Sequence, residues 1–277
     1  MSIQRILDRV WFGCRRIFTK TIRVQDGPIS YAFECREAVE AYRARTLFVK
    51  EEGTVAWIRA EVRSGDVFCD IGANIGLYTV MAGYRVGPQG IVYAFEPHVS
   101  NFSSLLQNIS LNGLDDRIRA MSAALHNTEG YFDFNYYAWD AGSSTSQLDS
   151  LNDDRGQPFK PVCSELKHAV TLDDLVAKRI IRQPDLIKID VDGNEWLVLQ
   201  GMKNLLSSTR RPRSIQVEMN MQSGNRIVDF MRDLGFDLAD RHYTLAGKKK
   251  IAHGIDPLSI PYNAIFRPCH LSIGGID

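Results

Sequence analysis

A short turn, D-I-G-A-N-I-G over residues 70–76, constrains this chain more than any other stretch. Val67, Cys69 and Ile71 alternate with Phe68 and Asp70 ahead of it, a brief apolar run suited to a parallel strand covered on both faces. Leu77, Val80, Met81 and Tyr84 follow at the spacing of a helix with one buried face. The turn therefore sits at the carboxyl end of a strand, where open α/β sheets bind ligands. Gly72 and Gly76 let a ligand approach the main chain closely.

The glycine spacing selects among ligands. A dinucleotide fingerprint requires G-x-G-x-x-G, but Asn74 and Leu77 occupy the second and third glycine places. A pyrophosphate fits poorly, which leaves an NAD-dependent oxidoreductase as the weaker alternative. Asp70 can accept from an ammonium group, and the free N–H groups of Gly72, Asn74 and Gly76 at the helix start can donate to a carboxylate. The amino-acid end of S-adenosylmethionine carries both charges. The next apolar run, residues 91–95, ends in Glu96, placed where α/β nucleotide sites use an acid to take both ribose hydroxyls, and Pro97 stops the strand. Residues 118–125 read as a third strand, so Ser122 and Ala123 are candidates for flanking an adenine, with plain strand packing as the alternative.

Composition narrows the class. Lys plus Arg and Asp plus Glu both total 33, which gives no global pull on nucleic acid and disfavours such a substrate. The length of 277 residues suits one large α/β domain, read as residues 51–277, behind an N-terminal extension over residues 1–50. Five scattered cysteines without a C-x-x-C pair fit reduced thiols and a cytoplasmic location. No stretch reaches the ~20 apolar residues of a membrane span, and no clean signal core is visible. Residues 3–18 form a basic amphipathic pattern, suited to peripheral membrane contact or to packing on the chain's own domain. A hairpin or cap is expected around Gly27 and Pro28, and a short helix over 54–62.

Residues 127–170 break the alternation of strands and helices. Aromatics from Tyr131 to Trp139 precede Gly142 and a run of hydroxyl residues, and the stretch 136–158 reads as a lid that covers an acceptor and orders with ligands. A helix start at residues 171–174 returns the chain to the sheet. Residues 186–192 then read as a strand with Lys188, Asp190 and Asp192 on one face. Three charges there are costly without partners or a ligand, so either a structural ion pair or a catalytic group is expected. Asp190 is the candidate base or acceptor-orienting group, with Lys188 holding it ionised and Asp192 beside it; His98 and His126 are rivals. A fifth strand over 215–220 brings Glu218 to the same edge. Asp190, Asp192 and Glu218 offer oxygens to a cation in principle, yet no spacing marks a metal site and none is assigned. A helix over 227–234 and strands over 235–240 and 264–266 complete the reading.

These motifs in this order, D-I-G-A-N-I-G at 70–76, F-E-P at 95–97 with Asn101 and Asn112 after it, T-L-D-D at 171–174, and K-I-D-V-D-G at 188–193 with Glu195, Val198, Leu199 and Gly201, closely resemble the FkbM methyltransferase family. The resemblance covers roughly residues 50–240. It implies an α/β, Rossmann-like class I methyltransferase fold with a mostly parallel seven-stranded sheet whose last strand runs antiparallel. It also implies S-adenosylmethionine as cofactor and a small-molecule or carbohydrate acceptor, often a sugar or natural-product hydroxyl. Asp192 departs from the family pattern, which more often has glutamate there. A non-catalytic scaffold that keeps the fold is the alternative from another class.

Overall fold

The computed structural model describes residues 19–153, 155–220 and 223–269; the amphipathic pattern at residues 3–18 lies outside them. An antiparallel hairpin opens the described chain, β1 (Lys20–Asp26) and β2 (Ile29–Cys35), followed by α1 (Ala38–Arg45) and α2 (Glu52–Glu61). The central alternation is β3 (Val67–Ile71), α3 (Leu77–Val86), β4 (Ile91–Phe95), α4 (Val99–Leu111) and β5 (Ile118–Met121). Four short or peripheral strands come next, β6 (Ala124–Leu125), β7 (Gly130–Tyr136), β8 (Gln147–Leu148) and β9 (Cys163–Val170). The chain then runs through α5 (Leu172–Ala177), β10 (Leu186–Ile189), α6 (Glu195–Gln200), α7 (Lys203–Ser207) and β11 (Ser214–Met219). It closes with α8 (Gly224–Asp233), β12 (Phe236–His242), α9 (Leu245–Ala252) and β13 (Tyr262–Pro268).

Seven strands form the main sheet in the order β12, β13, β11, β10, β3, β4, β5, and only β13 runs against its neighbours. This is the class I methyltransferase arrangement. Side-chain alternation along each strand decides which layer it builds. Phe68 and Leu186 face a core with Trp57, Ile58 and Val80 from α2 and α3. Val67, Cys69, Ile71, Ile187 and Ile189 face the opposite core with Leu199, Leu206 and Met231. All five residues of β3 are buried, as a central parallel strand covered on both faces requires. Truncating Phe68 to Ala would remove about 3–5 kcal/mol.

The N-terminal hairpin is fastened to the same layer. Tyr31 and Phe33 are fully buried there. Asn112 exchanges two hydrogen bonds with the backbone of Ala32, at 3.0 and 2.7 Å, and Asn108 accepts from Glu34 N–H at 2.9 Å. Two amides at the end of α4 thus satisfy the open edge of β2, whose donors would otherwise lie half-buried without partners.

Three stretches differ from expectation. The third strand is two strands: β5 stays in the main sheet, whereas β6 joins β9 in a second sheet of order β6, β9, β7, β8. Ser122 and Ala123 occupy the break. Residues 127–170 are mostly this second sheet, because β7 and β9 pair over their whole length, and the irregular part shrinks to residues 137–162 with β8 inside it. Finally β10 ends at Ile189, so Asp190 and Asp192 do not continue one strand face with Lys188. They belong to a turn in which Asp192 takes a left-handed conformation at φ 55°. Among the described residues no helix is long and apolar enough to cross a membrane, and Cys35, Cys69, Cys163 and Cys269 are free thiols.

Candidate active site

The glycine turn after β3 is docked by its backbone. Gly72 N–H and Ala73 N–H both donate to Phe95 O at 3.0 Å, binding the turn to the end of β4. Gly72 has φ 80°, and a Cβ there would lie 1.8 Å from Asp190 O, so only glycine allows the ends of β3 and β10 to approach this closely. Gly76, at φ 89°, begins α3, and a Cβ there would meet Leu105 at 2.6 Å. Asn74 is also left-handed, at φ 50°, a conformation its side chain supports by accepting from Ile75 N–H at 2.9 Å.

Glu96 leaves β4 into this turn. One carboxylate oxygen accepts from Asn74 N–H at 2.7 Å and the other from His98 N–H at 2.8 Å. Burial pushes its carboxyl up to about 7 against the pull of those two N–H groups. His98 caps α4: its Nδ1 accepts from Asn101 N–H at 3.4 Å and its Nε2 lies 3.0 Å from Ala138 O. Those partners assign the proton to Nε2, and burial lowers the ring's pKa, so both nitrogens are engaged in a neutral imidazole. His126 does not line the cleft; it packs on Phe132 and meets the Thr128 hydroxyl at 3.4 Å. Neither rival histidine is positioned as a base.

Lys188 stands opposite Asp70 in the β10–β3 register. Its ammonium lies 3.5 Å from Asp70 and 3.1 Å from Asp190, and Thr79 donates to Asp70 at 2.6 Å. Burial pulls the Lys188 pKa down, but Asp190, Asp70 and Glu51 push it far above the ordinary lysine value. Burial in turn raises Asp190, and Lys188 overrides it and holds the carboxyl below its usual range. Asp70 is only 1% exposed and lines neither of the two cavities at this turn. The ammonium it meets is that of Lys188, which strand register sets opposite it.

The turn after β10 is organised by Glu195, whose Oε1 accepts from Val191 N–H at 3.1 Å and Gly193 N–H at 3.0 Å. Burial raises Glu195 to about 7 while those donors oppose the shift. The turn then grips residues 142–147. Asp192 accepts from Thr145 N–H at 2.9 Å, and Gln147 donates to Asp192 O at 2.6 Å. Arg43 donates to Gly142 O at 2.6 Å, Asn101 accepts from Gly142 N–H at 2.7 Å, and Asn74 donates to Ser143 O at 2.9 Å. This part of the expected lid is fastened to the turn motifs.

These pieces enclose a cleft of about 930 Å³ that opens to solvent. Of the residues singled out from sequence, Gly72, Asn74, Glu96, Ala123, Asp190 and Asp192 line it. A smaller cavity of about 430 Å³ shares Gly72, Asn74 and Asp190 and adds Lys188. Gly76 and Ser122 line neither, and Ser122 is exposed. Arg43, Lys50 and Glu51 line both and escaped sequence reasoning, since charges in and after a short helix look like ordinary solvated positions. Among the described residues no group of three or more His, Cys, Asp or Glu side chains is arranged to hold a metal.

Known proteins place this architecture. The Methyltransferase FkbM domain model matches residues 70–238. The 31-O-demethyl-FK506 methyltransferase FkbM of Streptomyces tacrolimicus is 28% identical over 64% of this chain and 74% of its own length. Hexuronic acid methyltransferase AglP of Haloferax volcanii is 24% identical over 64% of this chain and 66% of its own. A crystal structure of methyltransferase FkbM from Methylobacillus flagellatus superposes with a TM-score of 0.51 at 15% identity, covering 83% of this chain and about half (52%) of that one. With the sheet order, the glycine turn and a family model spanning more than half of its length, this chain belongs to the FkbM family of S-adenosylmethionine-dependent methyltransferases.

Proposed function

We propose that the chain methylates a hydroxyl oxygen on a sugar, a glycolipid, a polysaccharide or a hydroxylated natural product. The observation that carries this reading is the buried Glu96 carboxylate, held on the glycine turn at Asn74 N–H, lining one cleft together with Gly72 and Asp190. The donor set fits S-adenosylmethionine. Glu96 offers a carboxylate to the ribose hydroxyls, Gly72 presents bare backbone to the cleft because a Cβ there would collide with Asp190 O, and Arg43 and Lys50 offer cations to a carboxylate. When bound, S-adenosylmethionine supplies an electrophilic methyl on a positively charged sulfur.

The chain's own groups do the rest. Gly72 and Asn74, with Arg43 and Lys50 beside them, receive the amino-acid portion, and Ala123 flanks the base. Asp70 acts through Lys188, which keeps Asp190 ionised to orient the acceptor hydroxyl. Asp192 holds the wall at Thr145. Much of the barrier is lowered by this positioning, since transfer needs the acceptor oxygen in line with the methyl and its leaving sulfur. Support for an oxygen acceptor comes from relatives named for the 31-O-demethyl form of FK506 and for a hexuronic acid.

Two measurements test the reading. Calorimetry should give micromolar binding of S-adenosylmethionine, about −7 to −8 kcal/mol, and Glu96→Ala should lose about 1.5–3 kcal/mol of it. Binding of NAD in its place would reject the cofactor assignment. Incubation with a panel of hydroxylated saccharides and isotopically labelled methyl donor should give an ether that survives mild base. A labile ester or an N-methyl product would overturn the acceptor class.

A further inference from the structure

Glu218 belongs to two cavities at once. On one side it lines the cleft with Gly72, Glu96 and Asp190. On the other it lines a separate cavity of about 500 Å³ bounded by Thr244, Lys250, Tyr262 and Asn263. Among the described residues it is the one side chain the two share. Register explains the position. On β11 Glu218 pairs with Asn263 of β13, while Val217 pairs with Ile189, the last residue of β10, so that Asp190 emerges beside it. Glu218 and Asp190 thus stand on the same cleft wall, and Lys188 keeps the negative charge on Asp190. Any proton held by the two carboxyl groups therefore resides on Glu218.

Every element packed around Glu218 bears on that proton. Burial acts first, and Asp190, Glu195, Asp192 and Glu51 add to it from the turn after β10, the start of α6 and the residue before α2; together they raise the Glu218 carboxyl well above its ordinary range. Lys188 and Lys50 sustain that effect by keeping Asp190 charged, and Lys250 of α9 lines the second cavity together with the neutral Thr244, Tyr262 and Asn263. Once ionised, such a carboxylate is a stronger base than Asp190, whose proton affinity Lys188 suppresses.

We infer that Glu218 is the catalytic base, taking the acceptor hydroxyl's proton, and that the acceptor reaches it from the cavity between β13 and α9. The assignment rests on the methyl-transfer reading above. The acceptor oxygen forms its bond to the methyl carbon as the C–S bond breaks with its electron pair going to sulfur. The O–H pair stays on oxygen and the proton passes to the Glu218 carboxylate. One positive and one negative charge are thereby cancelled in a poorly solvated cleft. The same coupling runs in reverse on binding. A sulfonium in the cleft favours the ionised carboxylate, so Glu218 releases its proton to solvent when S-adenosylmethionine binds but not when S-adenosylhomocysteine, whose sulfur is neutral, does.

The test compares calorimetric affinities for those two ligands across pH. They share the amino-acid, ribose and adenine groups, so titration of Glu96 cancels in their ratio. The preference for S-adenosylmethionine over S-adenosylhomocysteine should rise with pH, one linked proton setting a ceiling of about tenfold per unit. Glu218→Gln, which keeps a donor toward Asp190, should flatten the ratio. With an acceptor from the saccharide panel, the same variant should lose roughly a hundredfold in kcat. A flat ratio in the wild-type protein, or an unchanged ratio or kcat in Glu218→Gln, overturns the assignment of Glu218 alone. Failure of the wild-type protein to bind either ligand overturns the methyl-transfer reading and this assignment with it.

Discussion

The two ends of the cleft are built from different materials. The end at β3 and β4 is made by main chain: Gly72 and Ala73 dock on Phe95 O, and Glu96 closes on the N–H groups of Asn74 and His98. The end at β10 and β11 is made by charge: Lys188, Asp190, Asp192 and Glu218, with Glu51 arriving from the N-terminal segment. A backbone-built site is rigid. A charge-built site depends on a few side chains whose protonation and partners a single substitution alters.

Lys188 is where the two ends meet, so its removal should have the largest effect. Lys188→Met fills the space but strands Asp70 and Asp190 as buried carboxylates without their cation. Breaking one side of such a pair costs about 3–5 kcal/mol. Thermal denaturation should report that loss; a melting temperature within a few degrees of wild type would mean that the two ends are not joined electrostatically.

The next effect separates the ends by pH. The raised Glu96 carboxyl, at about 7, must be ionised to accept from ribose hydroxyls, so affinity for S-adenosylhomocysteine should fall by up to about tenfold per unit as pH drops below about 7. The sign for folding is opposite. The unliganded folded state binds this proton more tightly than the unfolded chain, so the Glu96 contribution to stability is full below pH ~4.5 and is lost as pH rises through about 7. In Glu96→Ala the pH slope of S-adenosylhomocysteine affinity should vanish, and a slope that persists would move the titration elsewhere.

The smallest expected effect probes the wall. Asp192→Ala removes the acceptor for Thr145 N–H, worth about 1 kcal/mol. Hydrogen exchange should quicken at residues 142–147 while residues 72–76 keep their protection. Equal quickening at both would show that the wall and the glycine turn open as one unit.

The difference between the ends also explains what the sequence discloses. The cofactor end is local: the apolar run of β3, the two glycines and Glu96 lie within a single strand–helix–strand segment, so spacing alone reveals them. Asp70 is the exception, because only the register with β10 shows that Lys188 occupies it. The second sheet hides because β9 mixes Glu165, Lys167 and His168 with apolar residues, and a strand so polar on one face has no clear period to read. Arg43, Lys50 and Glu51 reach the cleft only because the hairpin and α1 pack where they do. That is a long-range consequence no local pattern carries. The run over 186–192 is misread for a related reason: Asp192 at φ 55° turns the chain away, a conformation that does not reveal itself in residue type.

The pairing of β7 with β9 runs out at Tyr136 and Cys163, and Val162 N–H adds one more bond to Tyr136 O. Between those points, residues 142–147 are pinned by Arg43, Asn101 and Asp192, and the stretch from 149 to 161 leaves and returns at fixed posts. It is in effect a cartridge, held at both ends and lining neither the glycine turn nor the charged cluster, so an exchange of its length or composition should leave both in place.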